Sequence, residues 1–187
     1  NAISVKTKAI IPVHLFGQAA PMEEILAIAK KYDLYVIEDT AQAIGADYTF
    51  SNGEKKKVGT IGTIGCTSFF PSKNLGCFGD GGAIMTDDDA WAEKMKMIAN
   101  HGMKVRYHHE ILGVNSRLDS IQAAILNVKL KHLEEYQKAR YDAAQIYTNG
   151  LKDIESIETP VEMSYSTHVY HQYTLKIKDG TRDELKA

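Results

Sequence analysis

Leu34-Tyr-Val-Ile-Glu-Asp39 is apolar for four residues and then abruptly acidic. A strand buried within a parallel sheet reads this way, with its first polar groups at the carboxyl end. Ahead of it, Met22, Ile25, Leu26, Ala29 and Tyr32 recur at helical spacing behind Pro21, which predicts a helix near 21–32. Earlier still, Ile10 to Val13 is a short apolar run followed by a turn at Gly17. Strand, helix and strand in that order point to an α/β fold with a mostly parallel sheet flanked by helices.

Working outward, Ser51 to Lys57 carries Asn52-Gly53 and three lysines, the mark of an exposed hairpin loop. Ile64 to Phe70 and Gly82 to Thr86 read as two more strands. From residue 87 the pattern turns helical. Asp87-Asp-Asp89 offers N-cap oxygens, and Trp91, Met95 and Ile98 follow on one face. A second, long helix is expected from about Asp119, with Leu118, Ile121, Ile125 and Val128 on one stripe, later joined by Leu133 and Tyr136. Asn149-Gly150 is its expected stop. After Pro160 strand and loop return, including Tyr173-Thr-Leu-Lys-Ile-Lys178. These readings divide the chain into a partial large domain over 1–135 and, over 136–187, a linking helix with the start of a small α+β domain.

The 187 residues are 44% hydrophobic and 25% charged, enough for a sizeable core. A net charge of -2 and a pI near 6.4 give no basis for nucleic acid or an anionic membrane as partner. No apolar run approaches the ~20 residues of a membrane span, and no secretory pattern opens the chain. Cys66 and Cys77 are too few for a disulfide framework and lack zinc-ligand spacing, so no metal is expected and a cytoplasmic setting is. The opening strand, without an initiator Met, and the closing strand suggest an internal segment of a longer protein.

In open α/β sheets ligands bind at the carboxyl ends of parallel strands. Three such ends fall at His14, Asp39 and the Ser68–Lys73 region, each polar just where its apolar run stops. Asp39 and Lys73 have the strand Ile64 to Phe70 between them, so adjacent strand ends can place both in one crevice.

Several motifs then resemble the DegT family. They are Pro12-Val-His-Leu-Phe-Gly17, Glu38-Asp-Thr-Ala-Gln-Ala43 with Gly45-Ala46, Ser68-Phe-Phe-Pro-Ser-Lys-Asn-Leu-Gly76 and Gly79-Asp-Gly-Gly82. His101-Gly102, Gly113-Val-Asn-Ser-Arg117 and Gln122-Ala-Ala124 follow in family order. The resemblance implies an aspartate aminotransferase-like fold and a homodimer. It also implies an aminotransferase dependent on pyridoxal 5'-phosphate (PLP), passing an amino group from a donor such as glutamate to a keto nucleotide-sugar. Lys73 would be the Schiff-base lysine and proton shuttle. Asp39 would pair with the pyridine nitrogen and keep the ring an electron sink. Ala41 would lie against the ring, Gln42 near its hydroxyl, and Ser68 on the phosphate. Asn115 would reach the phosphate of the neighbouring subunit's cofactor. The family's amino-terminal phosphate loop and ring-covering aromatic have no counterpart here, which implies weak PLP affinity and little turnover for the isolated chain.

Plainer roles stand beside these. Asp39 is suited to capping the turn that follows, Ser68 to a plain buried hydroxyl, and Gln42 to a structural hydrogen bond. Asn115 is suited to holding a turn after Gly113. His14 at a strand end more often satisfies backbone groups than does chemistry. His168 and His171 lack a third metal ligand, and either could face substrate. Two other functions fit the same motifs: a PLP- or pyridoxamine-dependent sugar dehydratase and a non-catalytic regulatory homologue. The retained lysine and aspartate favour catalysis.

Overall fold

The computed structural model describes residues 2–186 apart from 179 and 181. In chain order, β1 (Ala9–Ile10), α1 (Met22–Tyr32) and β2 (Tyr35–Asp39) form the expected strand–helix–strand unit. The hairpin β3 (Asp47–Thr49) and β4 (Lys55–Lys57) follows, then β5 (Ile64–Ser68) and β6 (Gly82–Met85). Next come α2 (Asp89–Ala99) and the small hairpin β7 (Met103–Val105) and β8 (His108–His109). Helices α3 (Ser120–Leu130) and α4 (Leu133–Leu151), strands β9 (Ile157–Glu158) and β10 (Lys176–Ile177), and α5 (Arg182–Lys186) complete the chain.

The main sheet has the order β1-β2-β5-β6. β1, β2 and β5 are parallel, and β6 returns antiparallel beside β5. Along β2 burial alternates, so Val36 and Glu38 face one layer while Ile37 and Asp39 face the other. The inner layer is the larger core, where Val36 meets Met22 and Ala29 of α1 together with Ala46, Tyr48 and Val169. The Tyr48 hydroxyl accepts from the Glu23 N–H at 3.1 Å, occupying one of the unpaired amides at the start of α1. A second cluster joins Leu75 and Cys77, just beyond Lys73, to Leu126 and Leu133.

The helical half departs from the expectation of one long helix. The chain breaks between Leu130 and Leu133, where His132 adopts φ -107°, ψ 4°. Leu126 of α3 and Leu133 of α4 lie on either side of the break and both enter the same small cluster. Nor does Asn149-Gly150 stop the second helix, which runs on to Leu151. Gly150 has open space around it and no left-handed φ, so nothing there acts as a cap. At the start of α2 the Asp88 carboxylate accepts from the Trp91 N–H at 2.9 Å, as the acidic triplet predicts. No described helix is long and apolar enough to cross a membrane.

Candidate active site

The parallel strands β2 and β5 end side by side, with Asp39 opposite Cys66. Beyond the ladder, Thr40 stitches the two ends together: its N–H and its hydroxyl both donate to the Cys66 carbonyl, at 2.7 and 3.0 Å. On the other side, Asp39 is tied to the β1 end. Its N–H donates to the Pro12 carbonyl at 2.9 Å, and its carbonyl accepts from the His14 N–H at 3.0 Å. The backbone of Asp39 is thus held from both neighbours. Its side chain stands half-buried on the face opposite Glu38. Asp39 Oδ1 accepts from the Ala41 N–H at 3.0 Å, so the expected turn-capping role is present. Oδ2 has no protein partner among the described residues. The carboxylate is near enough to act on Cys66, whose thiol is pushed up by burial and then by the Asp39 charge.

The turn after β2 carries Ala41 and Gln42, both half-buried. Gln42 Oε1 accepts from the Phe16 N–H at 2.6 Å. Phe16 has φ 60°, an uncommon conformation for a residue with a side chain, and this bond helps to hold it. The amide oxygen is committed, and Gln42 Nε2 has no hydrogen-bond partner among the described residues.

At the end of β5, Ser68 Oγ accepts from the Phe70 N–H at 3.2 Å, leaving its proton to donate elsewhere. The chain then turns tightly, with the Lys73 N–H on the Phe70 carbonyl at 2.9 Å. A Cβ on Gly76 would lie 2.5 Å from the Pro71 carbonyl oxygen, so the turn closes only with glycine there. Helix α3 grips the far side: Lys129 Nζ donates to the Gly76 carbonyl at 2.6 Å, and Gln122 Oε1 accepts from the Phe78 N–H at 2.8 Å. Lys73 is half-buried, and its amine has no hydrogen-bond partner among the described residues. Asp39, Ala41, Gln42, Ser68 and Lys73 therefore share one end of the sheet.

Asn115 lies elsewhere. It is exposed, pairs through its backbone with Asn100, and borders a cleft of about 1140 Å³ between β6 and α2. The chain fold does not bring it to the Asp39–Lys73 group.

Two features bring together residues whose pairing the sequence did not give. First, Glu38 is wholly buried beside His14, whose Nε2 lies 2.9 Å from Glu38 Oε2. His14 Nδ1 accepts from the Ala20 N–H, so Nε2 carries the proton and donates to the carboxylate. Amides of Gly59, Ile61 and Gly62 also donate to Glu38, at 2.8, 2.7 and 2.6 Å. Burial pushes the Glu38 carboxyl upward, but His14 and these three amides outweigh it and hold it below the usual carboxylate range. His14 thus serves the framework and not the crevice.

Second, residues 168–171 return to the site from the end of the chain. Asn74 is buried beside Lys73 and donates from Nδ2 to the Val169 carbonyl at 2.9 Å, while His171 Nδ1 lies 3.1 Å from its Oδ1. His168 stacks on Tyr170 with ring centres 3.8 Å apart. Burial lowers His168 to about 4, with Glu162 pulling weakly the other way. The unfolded chain takes up this proton below about pH 6.5 and the folded chain only below about 4. Stability should therefore fall as pH drops between those values and level off outside them, by roughly 3 kcal/mol in all. Urea unfolding at pH 7 and pH 5 measures it, and His168→Gln should flatten that part of the curve. Among the described residues no three His, Cys, Asp or Glu side chains group as a metal site.

The sequence profile of the DegT/DnrJ/EryC1/StrS aminotransferase family matches residues 1–187. A protein named pleiotropic regulatory protein from Geobacillus stearothermophilus is 54% identical over all of this chain and 49% of its own length. The UDP-2-acetamido-2-deoxy-3-oxo-D-glucuronate aminotransferase of Pseudomonas aeruginosa is 48% identical over all of this chain and 51% of its own. Among solved structures, DesV of S. venezuelae in complex with a ketimine intermediate superposes with a TM-score of 0.90 at 41% identity. That match covers 98% of this chain and 47% of DesV. The Bacillus subtilis NtdA structure with its bound cofactor PMP gives 0.86 at 34% identity, over 98% of this chain and 41% of that one. The chain spans about half the length of the curated relatives it matches. On the profile match over its whole length, joined to these identities, the chain belongs to the DegT/DnrJ/EryC1/StrS aminotransferase family.

Proposed function

We propose that the protein is a PLP-dependent aminotransferase that moves an amino group from a donor such as glutamate onto a keto nucleotide-sugar. One observation carries the reading: the chemical functions left unengaged at the strand ends complement PLP one by one. Asp39 keeps a free anionic oxygen for a protonated ring nitrogen, and Gln42 keeps a free amide donor for the ring oxygen. Ser68 keeps a hydroxyl proton for a phosphate, and Lys73 keeps a free amine for the aldehyde carbon. Family membership supports the same cofactor, as does the PMP bound in the NtdA structure. The P. aeruginosa relative is named for a keto nucleotide-sugar reaction, which supports that substrate class.

When bound, PLP supplies an electron sink that stabilises charge developing on the substrate carbon. The chain's own residues do the rest. The Asp39 carboxylate, already oriented by the Ala41 amide, keeps the ring nitrogen protonated. Ala41 would lie against the ring, and Gln42 would donate to its oxygen. Lys73 Nζ would hold the cofactor and carry a proton to and from the reacting carbon. Donor and acceptor sugar take turns in the one crevice, which is a ping-pong scheme. Asn115, exposed and remote within the chain, completes a partner's site in a homodimer. The division at 135/136 makes residues 1–135 the cofactor-bearing part, with α4 crossing into the small domain.

The test uses the full-length protein with PLP. Borohydride reduction and peptide mapping should place a pyridoxyl adduct on Lys73. Incubation with glutamate and a panel of keto nucleotide-sugars should release 2-oxoglutarate and one amino sugar. An adduct on another lysine overturns the site assignment. Loss of a sugar hydroxyl without amino transfer would instead identify a dehydratase.

A further inference from the structure

Asn74 follows Lys73 directly and is 8% exposed. Its Nδ2 donates to the Val169 carbonyl at 2.9 Å, so the atom facing His171 Nδ1 at 3.1 Å is its oxygen. Reversing the amide would set two oxygens against each other at Val169 and is excluded by the same bond. His171 Nδ1 must therefore donate, and its proton sits on that nitrogen. Free histidine in water favours the opposite tautomer, so the protein imposes this one. His171 Nε2 is then the ring nitrogen with the lone pair, and it has no protein partner among the described residues.

The backbone that carries His171 is fixed independently of Asn74. Tyr170 has φ 42°, and its N–H donates to His168 Nδ1 at 3.0 Å while its carbonyl accepts from Arg140 at 3.3 Å. The Val169 N–H donates to the Gly17 carbonyl at 2.8 Å. A Cβ on Gly17 would come within 2.9 Å of the His171 nitrogen, so the two segments lie in direct contact. With its main chain held by these contacts, the ring of His171 depends on Asn74 alone for its hydrogen bond.

We propose that Asn74 is a positioning residue that fixes His171 as the Nδ1–H tautomer, leaving Nε2 as a neutral hydrogen-bond acceptor on the segment that returns to the Lys73 turn. The role matters to the reaction through the reading of Lys73 given above, on which it rests. Burial lowers the His171 imidazole, and the Lys73 and Arg140 charges lower it further, which keeps the ring neutral where the acceptor is needed. A neutral acceptor can receive a hydrogen bond from an ammonium or hydroxyl group, whereas the other tautomer would present a donor there.

Long-range ¹H–¹⁵N spectra of the full-length protein labelled at histidine, with His171→Gln used to assign the signal, read the tautomer directly. The wild-type signal should be that of the Nδ1–H form at pH 8. Asn74→Ala should shift it to the Nε2–H form. Asn74→Asp keeps the acceptor, so the Nδ1–H form should persist while the midpoint rises above the wild-type one. A wild-type signal of the Nε2–H form overturns the proposal without any variant. So does an unchanged tautomer in Asn74→Ala with a native-like amide spectrum. If Asn74→Ala does not fold, the wild-type and Asn74→Asp spectra decide. The tautomer is measured without turnover, so this result and the mapping of the Lys73 adduct fail independently.

Discussion

On the proposed role of Lys73, Lys73→Ala is expected to lower amino transfer by a factor on the order of 10³ or more and to leave the fold intact. The size would follow from two tasks joined in one amine, holding the cofactor and moving a proton at the reacting carbon. The intact fold follows from the surroundings. Lys73 is half-buried, and its Nζ holds no other group in place. The turn is kept by the Phe70 carbonyl, by Lys129 on Gly76, and by Asn74 on Val169. None of these contacts uses the lysine side chain. PLP should still bind through Asp39, Gln42 and Ser68, so its absorbance on the variant should be that of the free aldehyde. Steady-state rates, absorbance spectra and a thermal melt measure the three parts. A variant that kept amino transfer within tenfold of wild type would sink the assignment of Lys73. Loss of activity together with a collapsed melting curve would assign the lysine to structure instead.

Glu38→Ala costs about 4 kcal/mol of stability, a drop in Tm of about 10 °C, although Glu38 touches nothing in the crevice. The carboxylate collects four donors inside the protein: His14 Nε2–H and the amides of Gly59, Ile61 and Gly62. Alanine leaves all four without an acceptor, and buried donors that lose their partner bear the full cost of desolvation. Glu38→Gln keeps the shape but offers one acceptor oxygen and turns an N–H₂ toward other donors. It should cost about half as much. The pH dependence has a defined sign. The folded carboxyl lies below its ordinary value of 4.5, so its contribution is complete above that pH and is lost as pH falls through the lower, folded value. Chemical denaturation at pH 7 and in the acid range, on wild type and Glu38→Gln, checks both statements. Near-equal stability of Glu38→Ala and wild type at pH 7 would refute the clamp. Because Glu38 and Asp39 are consecutive on β2, loosening the clamp should also reduce cofactor affinity.

Much of this architecture was legible in local pattern. Helix α1 and strand β2 fall within a residue of where spacing and the Asp39 boundary put them, because both depend on side-chain periodicity over a single element. The α2 cap was legible for the same reason, as an acidic residue three positions before Trp91. The break at His132 was not. Helical spacing runs straight through it, because Leu126 and Leu133 are seven apart and keep to one face whether or not the helix is broken.

The same division applies to the site. Asp39 and the Ser68–Lys73 region could be picked out from sequence because an apolar run stops at each, and strand ends in an open parallel sheet converge on one edge, while the individual roles of Ser68 and Lys73 came from the resemblance to the DegT family. By itself, then, the sequence determined which residues end the parallel strands, and so which chemistry lies at that edge. Only the tertiary structure decided what holds those residues in place. Glu38 looked like one more polar strand-end residue until His14, 24 positions away, and the Gly59–Gly62 amides closed around it. Asn74 was one member of the Ser68–Gly76 motif until His171, 97 positions away, arrived at its oxygen. Asn115 borders the cleft beside β6, a place that its local pattern did not give. The physical reason is that strand ends follow from local hydrophobic pattern, whereas a buried donor or acceptor is matched only when distant segments meet.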